Sequence, residues 1–153
     1  MAPKLASAQS VDRSTMLDFV SPRHHLTLIT RKRDGGVQVS PVTSGLDSEG
    51  RIVIATYPER AKVYNIRRNP SVTALIHSDE WNDAYVQIDG TAEIIDLPDS
   101  VEPLVEYFRS VAGEHSDWDE YREAMRKQGK SLIRITIESW GPIAEGGFPP
   151  GRV

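Results

Sequence analysis

The sequence predicts a mainly β domain with flanking helices, built on an antiparallel sheet or small barrel. Three observations carry this. The β-branched apolar runs arrive in hairpin order rather than in strict βαβ alternation, which disfavours a parallel doubly wound sheet. Turn signals separate them at short intervals: Asp34-Gly35-Gly36, Asp47-Ser48-Glu49-Gly50 and Asn69-Pro70. Helical patterns are few, three or four against about six strands.

Taken in order, residues 1 to 11 are small and polar and read as a mobile tail, so that residues 12–153 form one domain. Asp12 to Val20 reads as a short helix with Met16, Leu17 and Val20 on one side, ended by Ser21-Pro22. Leu26 to Thr30 is β-rich, and Asp34-Gly35-Gly36 supplies the positive-φ residues of a hairpin. The chain returns over Val37 to Ser44, where Val37, Val39 and Pro41 alternate against Gln38, Ser40 and Val42. Ile52 to Ala55 is the apolar run of a buried strand. Thr56-Tyr57-Pro58-Glu59 has the form of a capping box, so a helix is expected to open at Thr56 and to stop at Asn69-Pro70. Val72 to Ile76 is the next strand. Tyr85 to Leu97 alternates around Gly90, which predicts a long strand with a bend or bulge there. Pro98-Asp99 opens a helix carrying Val101, Leu104, Val105 and Phe108, and Ser116-Asp117-Trp118-Asp119 opens another running through Met125. Ser131 to Ile137 is the last strand. Gly141 to Val153 has three Pro and four Gly and reads as an irregular tail able to dock.

A chain of 153 residues supplies one core and would supply two only thinly. With 18 Lys plus Arg against 22 Asp plus Glu, the net charge of −4 argues against a general nucleic-acid binder. The absence of Cys excludes disulfides, a thiol nucleophile and thiolate metal ligation, and suits the cytoplasm. No run approaches the roughly 20 apolar residues of a membrane span. The first residues lack the apolar core of a signal peptide. A soluble cytoplasmic domain without a membrane partner is therefore expected.

The most informative stretch is Thr56 to Pro70. Arg60 and Lys62 fall in the first turns of a helix whose N–H groups and dipole favour an anion, and the apolar strand leading in offers a surface for a flat ring. The bland alternative is a solvated basic helix face. The second stretch is Gln38 to Ser44. Pro41 removes a ladder N–H, so it belongs at an edge, an end or a bulge, leaving backbone groups and the Gln38, Ser40 and Thr43 side chains for a ligand. An ordinary edge strand is the alternative. Other clusters say less. His24 and His25 are adjacent and point to opposite faces of a strand. Ser116, Asp117, Asp119 and Glu120 are what a helix N-terminus favours electrostatically, not a metal set, and no spacing in the chain specifies a metal. Trp81, Trp118 and Trp140 are scattered and read as packing. Neither a nucleophile elbow nor an H-E-x-x-H motif is present. The residues alone suggest a barrel-like domain binding an anionic, ring-bearing ligand, and do not name it.

Several segments together resemble the pyridoxamine-phosphate-oxidase-like, FMN-binding split-barrel superfamily. They are Ser40-Pro41-Val42-Thr43, the stretch Glu59-Arg60-Ala61-Lys62 through Asn65 to Arg68-Asn69-Pro70, and Asp89-Gly90-Thr91-Ala92-Glu93. Ala112 to Arg122 and the ending Pro149-Pro150-Gly151 strengthen the resemblance, and Gly113-Glu114-His115-Ser116-Asp117-Trp118 within the former points more closely to its actinobacterial branch dependent on the deazaflavin coenzyme F420. The resemblance runs from about Asp12 to the C-terminus. It implies a six-stranded antiparallel split barrel that forms a homodimer, with two cofactor sites at the interface. It implies that Arg60, Ala61 and Lys62 hold the phosphate or acidic tail of the coenzyme, with Asn65 supporting that loop. Gln38, Ser40, Pro41 and Val42 would lie along the deazaflavin ring and Thr56 at its other side, with Trp81, Pro149 and Pro150 approaching from the partner subunit. The ending Ile143 to Gly151 lacks the substrate motif of true pyridoxamine-phosphate oxidases, which argues against vitamin B6 oxidation. The implied activity is hydride transfer from the reduced coenzyme to an unsaturated small-molecule acceptor. An FMN enzyme of the same fold and a non-catalytic coenzyme carrier are the rivals. No catalytic dyad is required; the proton comes from solvent or from a side chain, for which His77 and Tyr85 are candidates, and the sequence does not name the donor.

Overall fold

In the computed structural model, which describes residues 2–152, seven strands form one antiparallel sheet. They are β2 (His25–Arg31), β3 (Val37–Thr43), β4 (Gly45–Leu46), β5 (Ile52–Thr56), β6 (Ser71–His77), β7 (Val86–Ile95) and β8 (Ser131–Trp140), in the spatial order β3-β2-β6-β7-β8-β5-β4. β3 and β4 are the two edges of this sheet, yet only Ser44 separates them along the chain. The sheet must therefore curl until its edges meet at Ser44, which is 2% exposed. Beyond that point β3 and β5 diverge without a ladder between them, and the gap is the split of the barrel. The expected six strands become seven through the two-residue stub β4, which completes the closure.

Alternation along each strand fills the interior. Leu26 and Leu28 of β2, Ala74 and Ile76 of β6, Ile88 of β7, and Ile133 and Ile135 of β8 are all buried together. Helix α1 (Arg13–Val20) adds Met16 and Val20, and helix α2 (Ala61–Arg68) adds Ile66. Each fully buried aliphatic side chain stabilises the fold by about 2 kcal/mol relative to exposure. A second cluster seats helices α3 (Val101–Ala112) and α4 (Trp118–Gln128) on β5 and β8, through Leu104, Val105, Tyr121 and Met125 against Val53 and Leu132. The register of β7 against β8 shifts at Asp89/Gly90, the bulge expected there. Gly90 is required because a Cβ would collide with the Thr136 carbonyl and stand 2.9 Å from Ile135 Cγ2.

Two local expectations differ from the structure. Thr56 does not cap a helix. It is the last residue of β5 and pairs with Ser131, so α2 starts only at Ala61 with Arg60 as its N-cap and no side-chain cap bond. Pro58 and Glu59 occupy the intervening turn, closed by the Arg60 N–H donating to the Tyr57 carbonyl at 3.1 Å. The stretch read as a mobile tail contains strand β1 (Ser7–Gln9), which pairs antiparallel with β9 (Ile143–Glu145) in the Gly/Pro-rich ending.

Candidate functional site

The free edge of β3 begins the site. The Ser44 N–H donates to the His24 carbonyl at 2.9 Å and the Lys32 N–H to the Gly36 carbonyl at 2.8 Å. Continued through the register, this makes the even-numbered residues of β3 the hydrogen-bonded partners of β2. The odd-numbered residues turn their backbone groups to the open edge. Pro41 is one of them, so its missing N–H costs no ladder bond. Side chains follow the same period: Gln38, Ser40 and Val42 are half-buried, while Val39 is 52% exposed.

Opposite this edge stands the head of α2. The first-turn N–H groups of Ala61 and Lys62 have no partner within the helix. The Lys62 ammonium donates to Ser40 Oγ at 3.2 Å, tying helix to edge. Burial, and then the neighbouring Arg60 charge, hold the Lys62 pKa below its usual value. Between the two elements lies a cavity of about 770 Å³. Gln38, Ser40, Pro41, Val42, Thr43, Thr56, Arg60, Ala61 and Lys62 all line it, so nine of the positions singled out from sequence converge on one space.

Three cations face this cavity: Arg60, Lys62 and Lys130. None has a carboxylate partner among the described residues. Arg60 and Lys130 instead lie over the ring of Tyr57, at 5.7 and 4.8 Å from its centroid. The opposite wall is aromatic and comes from the α3–α4 pair: Tyr107, Phe108 and Tyr121, with Met125. Tyr107 donates its hydroxyl to the Thr43 carbonyl at 3.3 Å, and burial raises its pKa. Tyr121 donates to the Leu104 carbonyl at 2.9 Å, and burial, then Tyr107, push its pKa up to about 12.

Asn65 does not line the cavity. It is 8% exposed and stands behind the wall, where its Nδ2 donates to Thr30 Oγ1 at 3.1 Å. Thr30 Oγ1 in turn donates to Gln38 Oε1 at 3.3 Å, and Arg68 donates to Asn65 Oδ1 at 3.0 Å. Asn65 thus fixes α2 against β2 and orients Gln38. Trp81 is 89% exposed and lines a second cavity of about 520 Å³, together with His25, Thr27 and His77 of its own chain. This second cavity shares Pro41, Val42 and Thr43 with the first. His77 Nε2 is held at 2.8 Å from Thr27 Oγ1 and lines the second cavity; Tyr85 lines neither cavity and bridges to Ala144. Pro149 and Pro150 are exposed beside the N-terminal segment, where the Ala6 N–H donates to the Phe148 carbonyl, and line neither cavity.

Sequence reasoning missed Lys130, Tyr57 and the aromatic wall as site residues. Tyr57 and Lys130 meet only because β5 pairs with β8 through Thr56 and Ser131. Phe108 is legible as a helix-core position, and nothing in its spacing marks it as cavity-facing. Among the described residues, no group of three or more His, Asp or Glu side chains converges on a metal position.

A sequence model of the family described as Pyridoxamine 5'-phosphate oxidase matches residues 13–144. The fold is similar to that of several solved structures. A conserved hypothetical protein from Mycobacterium tuberculosis superposes with a TM-score of 0.74 at 22% identity, over 92% of this chain and 89% of that one. An F420 reductase gives a TM-score of 0.60 at 18% identity, over 80% and 93%. General Stress Protein 26 from Bacillus anthracis gives 0.61 at 18%, over 85% and 92%. At these identities the likeness is one of fold.

Proposed function

The chain belongs to the pyridoxamine 5'-phosphate oxidase family, and on that footing we propose that it is an oxidoreductase working with the deazaflavin coenzyme F420, moving a hydride to an unsaturated small-molecule acceptor. One observation carries the reading: cations without carboxylate partners at the head of α2 open onto a free strand edge across a single cavity. Those residues fit an anionic, ring-bearing coenzyme in both its parts. Arg60, Lys62 and the first-turn N–H groups of α2 match a phosphate. The outward backbone groups of Val39 and Pro41 match the polar edge of a flat ring. The preference for the deazaflavin over FMN draws support from the Ala112 to Arg122 resemblance and from the F420 reductase among the fold neighbours.

When bound, the reduced coenzyme supplies the hydride chemistry. The protein's part is to orient and to exclude water. Gln38, locked through Thr30 and Asn65, presents a fixed amide to the ring edge. Lys62, short of a counter-ion and partly desolvated, is stabilised in its charged form when an anion arrives. Tyr107, Phe108 and Tyr121 close the far wall against solvent, which strengthens every polar contact inside. Tyr121 stays protonated across the neutral range and adds no negative charge there.

The reading includes a cytoplasmic homodimer. Val37, Val39 and Trp81, exposed at or beside the outer face of the β3–β2–β6 sheet, support a face that a second copy would cover. The experiment is a titration of the purified protein with deazaflavin coenzyme and FMN side by side, followed by Trp fluorescence. Oxidation of the reduced coenzyme is then measured against a panel of acceptors. Tighter binding of the deazaflavin, with turnover of at least one acceptor, is expected. Tight FMN binding with no affinity for the deazaflavin overturns the cofactor assignment. Binding without turnover of any acceptor makes the protein a carrier.

A further inference from the structure

A phosphate at the head of α2 leaves one cation of the cavity without a role. Lys130 is not a loose surface lysine. Its N–H donates to the Met125 carbonyl at 3.2 Å, and its carbonyl accepts from Ser100 Oγ at 2.9 Å, Ser100 itself being 0% exposed. Gly129, at φ +70°, turns the chain off α4 just before it. The Thr56–Ser131 register then sets Lys130 beside Tyr57, over whose ring its ammonium rests. Arg60 reaches the same ring, so the two charges are at most about 10.5 Å apart, the two centroid distances laid end to end.

Lys62 binds in a different direction, toward Ser40 on β3. The cavity therefore offers two anion positions on different elements. One is formed by Lys62 with the α2 amides, the other by Lys130 beside Tyr57, and Arg60 stands near both. Three like charges in one partly desolvated space repel one another, and a single anion at α2 relieves only part of that.

We propose that the cavity takes a ligand carrying two separated anionic groups, and that Lys130 holds the second. Resting on the deazaflavin reading above, this makes Lys130 the residue that separates a coenzyme with a phosphodiester and a carboxylate-bearing extension from one ending in a single phosphate. The extension lies along Tyr57 toward the α4–β8 turn.

The test compares dissociation constants of the wild type, Lys130→Gln and Lys130→Arg for three ligands: the full deazaflavin coenzyme, its fragment cut back to the terminal phosphate, and FMN. Lys130→Gln should weaken the full coenzyme on the order of tenfold and leave the fragment and FMN unchanged, with Lys130→Arg restoring most of the loss. Equal weakening of all three ligands, or no weakening of any, overturns the proposal. A thermal melt of each variant separates a folding defect from a binding one. If the wild type binds neither the coenzyme nor FMN, the functional reading fails on its own account. Tripolyphosphate against orthophosphate then decides the two-position cavity. Selective loss of tripolyphosphate binding in Lys130→Gln upholds it; equal behaviour of the two anions overturns it.

Discussion

Replacing Lys62 by Met separates what this residue does for the fold from what it does for a ligand. Its pKa is held below 10.5 by burial and then by Arg60, so the charged form is disfavoured in the folded state. The sign follows from linkage. Below the lowered folded value the cost is fully present. It shrinks as pH rises from there toward 10.5, because the unfolded chain now binds the extra proton. Met keeps the aliphatic stem and removes the charge. Relief of desolvation and of the Arg60 repulsion favours the variant, by an amount that solvent screening keeps small at a half-exposed site. Against this, the 3.2 Å bond to Ser40 is lost, at about 0.5–1 kcal/mol, and the half-buried Ser40 hydroxyl can turn to water.

The two effects are both small and oppose each other. Lys62→Met should therefore melt within about 2 °C of the wild type at neutral pH, while its affinity for an anionic coenzyme falls on the order of tenfold or more. Urea unfolding of both proteins at pH 7 and near pH 10 gives the decisive difference. The wild type should gain on the variant as pH rises, and effects common to both proteins cancel in the subtraction. A variant destabilised by more than about 1.5 kcal/mol at pH 7 would make Lys62 a structural strut. So would a difference that moves the other way with pH. Either result refutes the view that its charge is kept for a ligand.

Asn65→Ala should cost about 2 kcal/mol, because it strips the donor from the fully buried Thr30 and frees α2 from β2; the loss is read by urea unfolding, and a change under 0.5 kcal/mol would contradict the buttressing role. Gly90→Ala should cost more than about 3 kcal/mol, since its Cβ meets the Thr136 carbonyl across the β7–β8 bulge; a melting temperature equal to the wild type would show that the bulge can yield. Tyr121, with its pKa raised to about 12, keeps its proton in the folded state after the unfolded chain has lost it, so stability should fall as pH rises from about 10 to about 12. Tyr121→Phe should remove that part of the alkaline loss while costing about 1 kcal/mol at neutral pH through the missing bond to Leu104, both measurable by thermal melts across the alkaline range.

Features that depend on neighbours in sequence were legible without a structure. The helix starts near Asp12 and Asp117, the alternation of β3 and the bulge at Gly90 each follow from residues a few positions apart. The exceptions share one cause, which is competition from a distant strand. Thr56 has the chemistry of an N-cap, but Ser131 offers it a ladder position at the end of β5, and the buried pairing outweighs a local cap. Ser7 to Gln9 lacks any apolar pattern, and becomes a strand only because Ile143 to Glu145 lies alongside. The site divides the same way. Its floor is one hairpin strand and one helix head, and Gln38, Ser40, Arg60 and Lys62 announce their chemistry by type and spacing. Its far wall and third cation arrive on α3, α4 and the turn after them, where Tyr107, Tyr121 and Lys130 look like ordinary amphipathic helix and turn residues. The β5–β8 ladder carries those residues to the floor, setting Lys130 beside Tyr57. The ladder that denies Thr56 its cap is therefore also the one that completes the cationic cluster, so a substitution that breaks the Thr56–Ser131 pairing would disturb the ligand site before it disturbed the barrel's interior.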